Sequence, residues 1–265
     1  MSVPRDLTPW REAGWRGWID PRAGLDTVAC LAAAAGGGGR ASRHARTIRV
    51  GAVFVKTYPP PGAPRALRAF RMARALGGAG FGAPAVALVG TRGRAGLLVT
   101  LDAGGEDLLE ALVRRRADRR AKWALLRQLG AEVGRLHAAG FVHGDLVPPN
   151  LRVRDGTLVF LDNDRTRRGR LLVRLGARRN LVQLGRFVVP GVTLTDRARV
   201  LAAYAAARRL PARARHQLAD WVVRKTTARR CAIDHITPAA AARAGFRELM
   251  RSGGPFDAAP RGSVL

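Results

Sequence analysis

The sequence is poor in the features that define several common classes of protein. Its two cysteines, Cys30 and Cys231, cannot form a disulfide framework or a cysteine-based metal site. Only 6% of its residues are aromatic, and no zinc, helix-turn-helix or RNA-binding signature is present, so nucleic acid is not the favoured partner. No apolar run approaches the ~20 residues that cross a bilayer. Residues 1–20 lack the apolar core of a secretory signal, and we therefore expect a cytoplasmic protein.

Negative charge is also scarce. The 265 residues include 47 Lys and Arg against 19 Asp and Glu, which gives a formal net charge of +28. Only three of the basic residues are lysines: Lys56, Lys122 and Lys225. A surplus of this size creates a positive field that favours anionic partners. Nucleic acid, an anionic membrane surface and a phosphorylated glycolipid all meet that condition.

The first hundred residues predict strands with one helix. Residues 45–58 have the pattern of a β-hairpin with its turn at Gly51. A helix is predicted over 65–76, where apolar residues share one side and glycines follow. Apolar runs of strand length occupy 84–90 and 95–101.

The remainder is predicted to be mainly helical. A long helix over 121–139 carries a buried stripe, and a short hairpin of two strands follows over 151–154 and 157–161. A further helix is predicted to start at Thr195. The pattern indicates an α+β fold with two unequal lobes. The expected domains are an N-terminal lobe over 1–101, a C-terminal lobe over 102–250 and a flexible tail over 251–265.

The strongest functional signal is a set of polar residues around the short hairpin. His143, Asp145 and Asn150 precede it in one loop, and Asp162 and Asp164 follow it. Phosphoryl transfer needs one carboxylate near the attacking hydroxyl, and an amide and a second carboxylate that hold Mg²⁺ on the ATP phosphates. Asp145 can be the first, and Asn150 and Asp162 can bind the metal, because Mg²⁺ prefers hard oxygen ligands. The pattern therefore predicts an ATP- and Mg²⁺-dependent kinase.

Lys56 is a second signal. This chain nearly always uses Arg for positive charge, yet the second strand of the predicted hairpin carries Lys just before a proline-rich stop. A compact ammonium suits contact with the ATP phosphates. We therefore predict that Lys56 binds those phosphates.

These residues lie in segments that resemble the Kdo/WaaP lipopolysaccharide kinase family. The similar segments are residues 46–50, 53–58, 98–101, 130–146, 160–165, 179–184 and 196–204, together with Asn150. The resemblance spans roughly residues 40–210. Its catalytic stretch is shared with the wider protein-kinase-like group, whereas the Asp-x-Asp-Arg ending and residues 179–204 point more narrowly to this family.

The resemblance implies a two-lobed protein-kinase-like fold with ATP between the lobes. Members of the Kdo/WaaP family phosphorylate Kdo or heptose of the lipopolysaccharide core at the cytoplasmic face of the inner membrane. By position it implies that Asp145 is the catalytic carboxylate and that Asn150 and Asp162 hold Mg²⁺. Lys56 then contacts the ATP phosphates, and His143 orders the loop.

The roles of Asp164 and Arg165 remain open, since they could pair with each other or face the sugar. The sequence also departs from the kinase-like pattern, which usually places a Glu on the helix after the lysine strand to orient the lysine. No Asp or Glu occurs between Asp26 and Asp102. Lys56 is then oriented by phosphate alone, or by a carboxylate from elsewhere, or the activity is weak.

The charge of the later part of the chain favours an anionic acceptor. Residues 165–230 contain eighteen basic residues against two acidic ones. A kinase for cationic aminoglycosides would need carboxylates there, whereas an anionic glycolipid or sugar acceptor fits. The same charge predicts peripheral contact with an anionic membrane surface. The alternatives are an inactive kinase-like scaffold at the membrane, a small-molecule or protein kinase of the same fold, and, least favoured, a nucleic-acid-binding protein.

Overall fold

The computed structural model describes residues 6–233 of the chain, except residues 43 and 188. The chain divides into two compact units. Among the described residues, the first comprises 6–104 and 159–166, and the second comprises 105–158 and 167–233. The tail predicted over 251–265 lies outside the described residues. Because residues 159–166 belong to the first unit, Asp162 and Asp164 share a unit with Lys56.

The first unit is built on one antiparallel sheet. Its strands are β1 (Thr8–Glu12), β2 (Trp15–Ile19), β3 (Arg40–Ala41), β4 (Arg46–Val50), β5 (Val53–Tyr58), β6 (Val86–Arg92) and β7 (Ala95–Leu101). Their order across the sheet is β1-β2-β6-β7-β5-β4-β3. The predicted hairpin and both strand-length runs are confirmed, whereas β1, β2 and β3 add strands that the sequence pattern does not indicate.

The hairpin of β4 and β5 places Lys56 on a defined face of the sheet. Gly51 adopts φ +55° in the turn, a conformation that glycine reaches without steric strain. Side chains alternate along β5, so Val53 and Val55 pack on one face, while Lys56 and Tyr58 lie on the other.

Helices cover both faces of this sheet. On the Val55 face, α1 (Thr27–Ala35), which the sequence pattern does not indicate, contributes the buried Cys30. On the Lys56 face, α2 (Ala63–Gly78) buries Ala66, Ala69, Phe70, Ala73 and Leu76. The alanines let the helix lie close to the strands: a Cβ added at Gly96 would be 2.6 Å from that of Ala66.

The second unit is mainly helical, which confirms the predicted α+β class. Its helices are α3 (Leu108–Arg114), α4 (Arg119–Ala138), α5 (Arg170–Gly185), α6 (Leu194–Ala207) and α7 (Ala212–Ile233). Its short strands are β8 (Glu106–Asp107), β9 (Phe141–Val142), β10 (Leu151–Arg154), β11 (Thr157–Phe160), whose last residues continue into the first unit, and β12 (Arg167–Arg168). None of the described helices is long and apolar enough to cross a membrane.

The start of α6 corrects the predicted helix cap. The N-cap is Thr193 and not Thr195, because the Thr193 hydroxyl accepts from the Asp196 amide at 3.2 Å. The Asp196 carboxylate accepts in return from the Thr193 amide at 3.0 Å. This reciprocal pair is a capping box, which satisfies amide donors at the first turn.

Two glycines let α4 and α6 cross in close contact. A Cβ added at Gly130 would lie 2.1 Å from the carbonyl oxygen of Val200, and one at Gly134 would lie 2.7 Å from the Cβ of Ala207. The leucines and valine of the predicted stripe on α4 are buried. The crossing therefore fixes the helix that leads directly into the loop of His143 and Asp145.

Candidate active site

In the first unit, the ammonium of Lys56 lies against two carboxylates. Its Nζ donates to Oδ1 of Asp162, and a longer contact of 3.5 Å joins Nζ to Oδ2 of Asp164. The Lys56 side chain is 18% exposed, which leaves little room for water around the ammonium. Nζ also lies 5.3 Å from the centre of the Tyr58 ring, a cation–π distance. The structure therefore brings three of the predicted site residues together.

The position of Asp162 depends on a tight turn after β11. Asp162 has φ +54° and ψ +58°, in the left-handed region that residues with a Cβ rarely adopt. The next residue, Asn163, fixes the turn by donating to the Phe160 carbonyl at 2.8 Å and accepting from the Thr166 hydroxyl at 3.2 Å. The turn therefore fixes the direction in which the Asp162 side chain leaves the backbone.

Asp162 and Asp164 differ in their surroundings. The Asp162 side chain is 39% exposed, whereas that of Asp164 is 8% exposed. Burial raises the pKa of Asp164, and the neighbouring Lys56 opposes that rise. Burial acts to lower the pKa of Lys56, but the two carboxylates outweigh it and raise that pKa above its ordinary value. Lys56 is therefore a permanent cation at physiological pH.

In the second unit, the loop over 143–150 is fixed by its own hydrogen bonds. The Asp145 carbonyl accepts from Nδ2 of Asn150 at 2.9 Å and from the Val147 amide at 3.0 Å. Pro148 starts a 3-10 turn, Pro148–Asn150, which leads into β10. Because Nδ2 of Asn150 is used inside the loop, its Oδ1 is the atom suited to a metal.

Two buried amides of α5 support this loop, and sequence reasoning did not assign them a role. Asn180 donates to the His143 carbonyl at 2.5 Å and accepts from the His143 amide at 3.2 Å. Gln183 donates to Oδ1 of Asp145 at 3.3 Å and accepts from the Leu146 amide at 3.2 Å. Their spacing of three residues puts both on one face of the helix. That spacing within the similar segment 179–184 is the signal from which they could have been found.

The two histidines near the loop have structural surroundings. His143 is fully buried, and its Nδ1 accepts from the Asp145 amide at 3.3 Å. That contact fits the loop-ordering role implied by the resemblance. His137, on α4, bridges Oδ1 of Asn180 at 3.1 Å and the Tyr204 hydroxyl at 3.0 Å. Burial lowers the pKa of His137 to about 4, so the ring is neutral at pH 7.

The proton of His137 can be placed from its partners. Oδ1 of Asn180 is an acceptor, so Nε2 of His137 carries the proton, and Nδ1 accepts from Tyr204. A continuous chain of hydrogen bonds therefore runs from α6 through α4 and α5 to the backbone of His143.

The predicted site residues divide between the two units. The first unit holds Lys56, Asp162, Asp164 and Arg165, and the second holds His143, Asp145 and Asn150. Arg165 is exposed, and Asp164 pairs with Lys56.

An ammonium, carboxylates and an amide oxygen are the kinds of group that phosphoryl transfer uses, and the chain is a phosphotransferase of the kinase-like class. A family comparison identifies the particular group. The model of the lipopolysaccharide kinase (Kdo/WaaP) family matches residues 41–204, which is more than half of the chain. The chain therefore belongs to the Kdo/WaaP family.

Curated relatives match only short segments. The chain is 41% identical over 58 residues to the KEOPS complex subunit Bud32 of Pyrococcus abyssi, which covers 22% of this chain and 26% of that protein. It is 54% identical over 37 residues to a probable bifunctional tRNA threonylcarbamoyladenosine biosynthesis protein of Methanoculleus marisnigri. This match covers 14% of this chain and 7% of that protein. The matched segments thus span about a quarter or less of the length of these relatives.

Two solved structures are similar at low sequence identity. An aminoglycoside-3′-phosphotransferase of type VIII is 17% identical with a TM-score of 0.44, over 71% of this chain and 92% of that chain. The amicoumacin kinase hAmiN, in complex with AMP-PNP, Ca²⁺ and Ami, is 15% identical with a TM-score of 0.45, over 89% and 97%.

Proposed function

We propose that this kinase uses ATP and Mg²⁺ to phosphorylate a hydroxyl group of an anionic sugar, Kdo or heptose, in the lipopolysaccharide inner core. The observation that carries the kinase chemistry is the contact between the Lys56 ammonium and Asp162 in its left-handed turn. An ammonium and a metal-binding carboxylate act on the same ATP phosphates. Membership of the family supports a sugar of the lipopolysaccharide core as the acceptor.

The donor set fits Mg²⁺. Asp162 offers a carboxylate that is 39% exposed, and Asn150 offers an amide oxygen. Both are hard oxygen ligands, and Mg²⁺ is usually held by one or two such groups together with substrate phosphates and water. When bound, the metal neutralises negative charge on the phosphates. Lys56 adds a fixed positive charge from the sheet.

Asp145 is the residue that we assign to the acceptor hydroxyl. Its peptide amide donates to His143, and its Oδ1 accepts from Gln183. The carboxylate is therefore held in one orientation and can take the proton that the hydroxyl loses as it attacks the γ-phosphorus.

The later part of the chain, residues 165–230, presents little negative charge to an acceptor. Residues 165–230 contain two acids, and Asp196 is 1% exposed and paired with Lys122 and Arg199. Asp220 is the exposed acid of this stretch, against eighteen basic residues. Carboxylates or phosphates on an acceptor are attracted to such a surface, whereas a cationic aminoglycoside is repelled.

The direct experiment measures Mg²⁺-dependent transfer of the γ-phosphate of ATP to purified inner-core acceptors, with aminoglycosides as comparison substrates. Wild type is expected to phosphorylate an inner-core sugar, and Asp162→Ala is expected not to. Asp20→Asn is the control, because Asp20 lies in the same unit and pairs with Arg22. ATP binding without transfer to any inner-core sugar would reject the acceptor, and lack of ATP binding would reject the nucleotide site.

The alternatives are a kinase with another acceptor and a scaffold without activity. The short matches to proteins named for the KEOPS complex and for tRNA threonylcarbamoyladenosine biosynthesis favour testing other acceptors in the same assay. The carboxylates around Lys56 give no specific support to the hypothesis of an inactive scaffold.

We also propose that the kinase contacts an anionic membrane through α5. Leu171 and Leu175, one turn apart, are 66% and 72% exposed. Arg170, Arg174 and Arg178 are also exposed at the same four-residue spacing, and we call these five residues the α5 outer face. Exposed leucines beside arginines are typical of helices that lie in the interface of an anionic bilayer. Each well-placed Arg adds about 1 kcal/mol of attraction.

Vesicle binding tests the α5 outer face. Binding to vesicles with phosphatidylglycerol is expected to exceed binding to pure phosphatidylcholine. Leu171→Ser with Leu175→Ser should weaken it about tenfold, and Arg170→Gln with Arg174→Gln about thirtyfold. Val28→Ser is the matched control, since Val28 is 69% exposed on α1. Equal weakening by all three variants would show that no particular face is used.

A further inference from the structure

The surroundings of Lys56 indicate which group orients it. Asp162 and Asp164 both contact its ammonium, yet they differ in exposure, at 39% and 8% of their side chains. Asp162 faces solvent, where phosphates and metal arrive, whereas Asp164 is enclosed. A carboxylate that binds a metal shares its negative charge with that metal. Lys56 then needs a second carboxylate to stay in place, and Asp164 is in contact with it.

The helix that covers Lys56 cannot supply that carboxylate. In protein kinases, an ion pair between the lysine and a helix glutamate must be formed for activity. Here α2 lies on the Lys56 face and turns Ala66, Ala69 and Phe70 toward the sheet, and it contains no Asp or Glu. These side chains are buried and apolar, so nothing on this helix can pair with an ammonium.

The other acids described in the first unit are engaged elsewhere. Asp6 pairs with Arg74, Asp20 with Arg22, and Asp102 with Arg49. Glu12 accepts from the Trp10 indole, and Asp26 caps α1. Among the described residues of this unit, Asp164 is the buried acid.

The backbone holds Asp164 firmly. It lies in the 3-10 turn Asn163–Arg165, which packs against α2. The turn is fixed on both sides by the hydrogen bonds of Asn163 with Phe160 and Thr166. Asp164 thus reaches Lys56 from a turn that packs against the helix that would otherwise carry a glutamate.

We propose that Asp164 is a positioning residue that orients Lys56 toward the ATP phosphates in place of a carboxylate on α2. The proposal rests on the proposed function, because it needs Lys56 to bind ATP. It assigns different tasks to the two acids of the Asp-Asn-Asp segment: Asp162 serves the metal, and Asp164 serves the lysine. The sequence left open whether Lys56 is oriented by phosphate alone or by a carboxylate from outside α2. The proposal chooses the second, with Asp164 of the same unit as that carboxylate.

A double-mutant cycle on Lys56 and Asp164 tests this role. The readout is calorimetric binding of Mg²⁺ with AMP-PNP, a nucleotide that is not consumed. Asp164→Asn should weaken binding about tenfold or more, because a hydrogen bond to a charged group is lost. In a Lys56→Met background the same change should have little further effect, since coupled residues are not additive. Asp164→Glu should retain most of the affinity because it keeps the charge.

The controls separate positioning from folding. Asp102→Asn removes a charge in the same unit from an exposed pair with Arg49 and should leave nucleotide affinity unchanged. The melting temperature of each variant shows whether it is folded. If Asp164→Asn proves unstable, Asp164→Ser takes its place in the cycle, with and without Lys56→Met.

Two outcomes would overturn the inference while the proposed function stands. In the first, wild type binds the nucleotide and Asp164→Asn binds it equally well. In the second, Asp164→Asn weakens binding by the same factor with and without Lys56, so that it acts through another group. A wild type that binds no nucleotide would instead refute the proposed function.

Discussion

Replacing Asp145 by asparagine is expected to lower the rate of phosphoryl transfer by about 10²–10⁴-fold, the usual contribution of a general base. Asparagine matches aspartate in size, and its amide oxygen can still accept from Gln183, as Oδ1 of Asp145 does at 3.3 Å. The peptide contact with His143 also remains, since it uses the backbone. What is lost is the ability to take the proton of the acceptor hydroxyl. ATP affinity should therefore stay within about threefold of wild type, since the role proposed for Asp145 is in the transition state.

A matched variant makes this result specific. Asp155→Asn changes the same charge at a turn residue of the same unit, where the side chain is 92% exposed and φ is +48°. Asparagine tolerates that conformation, so full activity is expected. Single-turnover rates at saturating ATP and acceptor separate the chemical step from binding. Full activity of Asp145→Asn would mean that the acceptor loses its proton to solvent or to another group.

The parts of the site that depend on residues close together in the sequence could be predicted. The strand that carries Lys56 ends at a run of prolines, and the loop of Asp145 lies between a long helix and a hairpin. Both patterns are local, so the fold class and these elements could be predicted. The roles of Lys56, Asp145, Asn150 and Asp162 remain predictions that the experiments above address.

The parts that depend on contacts between residues far apart in the sequence could not be predicted. Asn180 and Gln183 act on a loop 37 residues away, and nothing in their own helix says what they touch. The sequence left Asp164 with two possible partners, and the contact with Lys56 crosses 108 residues. Such pairs are set by the path of the chain, which local patterns do not specify.

The N-terminal strands were missed for a different reason. β1 and β2 join through Ala13 and Gly14, with φ of +48° and +79°. Tight hairpin turns usually carry Asn or Asp with Gly at those positions, because such residues tolerate positive φ. Alanine in the first position hides the signal. Trp10 and Trp15 are nevertheless buried on the sheet, and this packing maintains the turn.

Removing the buried carboxylate of Asp196 is expected to produce the largest loss of stability in the second unit. Asp196 is 1% exposed and accepts from Nζ of Lys122 at 3.0 Å, from the Trp123 indole at 3.0 Å and from Arg199 at 3.1 Å. It also completes the capping box with Thr193. Breaking a buried ion pair by removing one partner leaves an uncompensated charge and lowers the free energy of unfolding by about 3–5 kcal/mol.

The location of the Lys122–Asp196 pair gives the reason for this expected loss of stability. Lys122 is on α4 and Asp196 is on α6, the two helices that the glycines at 130 and 134 allow to touch. The Lys122 side chain is 7% exposed, so water cannot replace Asp196. Burial acts to raise the pKa of Asp196, but the Thr193 amide and Lys122 lower it below its ordinary value. The stability from this carboxylate is therefore present above the unfolded pKa near 3.8 and is lost as the pH falls through the lower folded value.

Urea unfolding at pH 7 measures the effect. Asp196→Ala should lose about 3–5 kcal/mol, whereas Asp220→Ala, at an exposed acid of α7, should change stability by less than about 0.5 kcal/mol. The double variant Lys122→Met with Asp196→Leu should be more stable than Asp196→Ala, because it removes both charges from the interior. If the double variant is no better than Asp196→Ala, the loss comes from the cap and the indole contact and not from the stranded ammonium. If Asp196→Ala is as stable as Asp220→Ala, the buried pair does not hold α4 to α6.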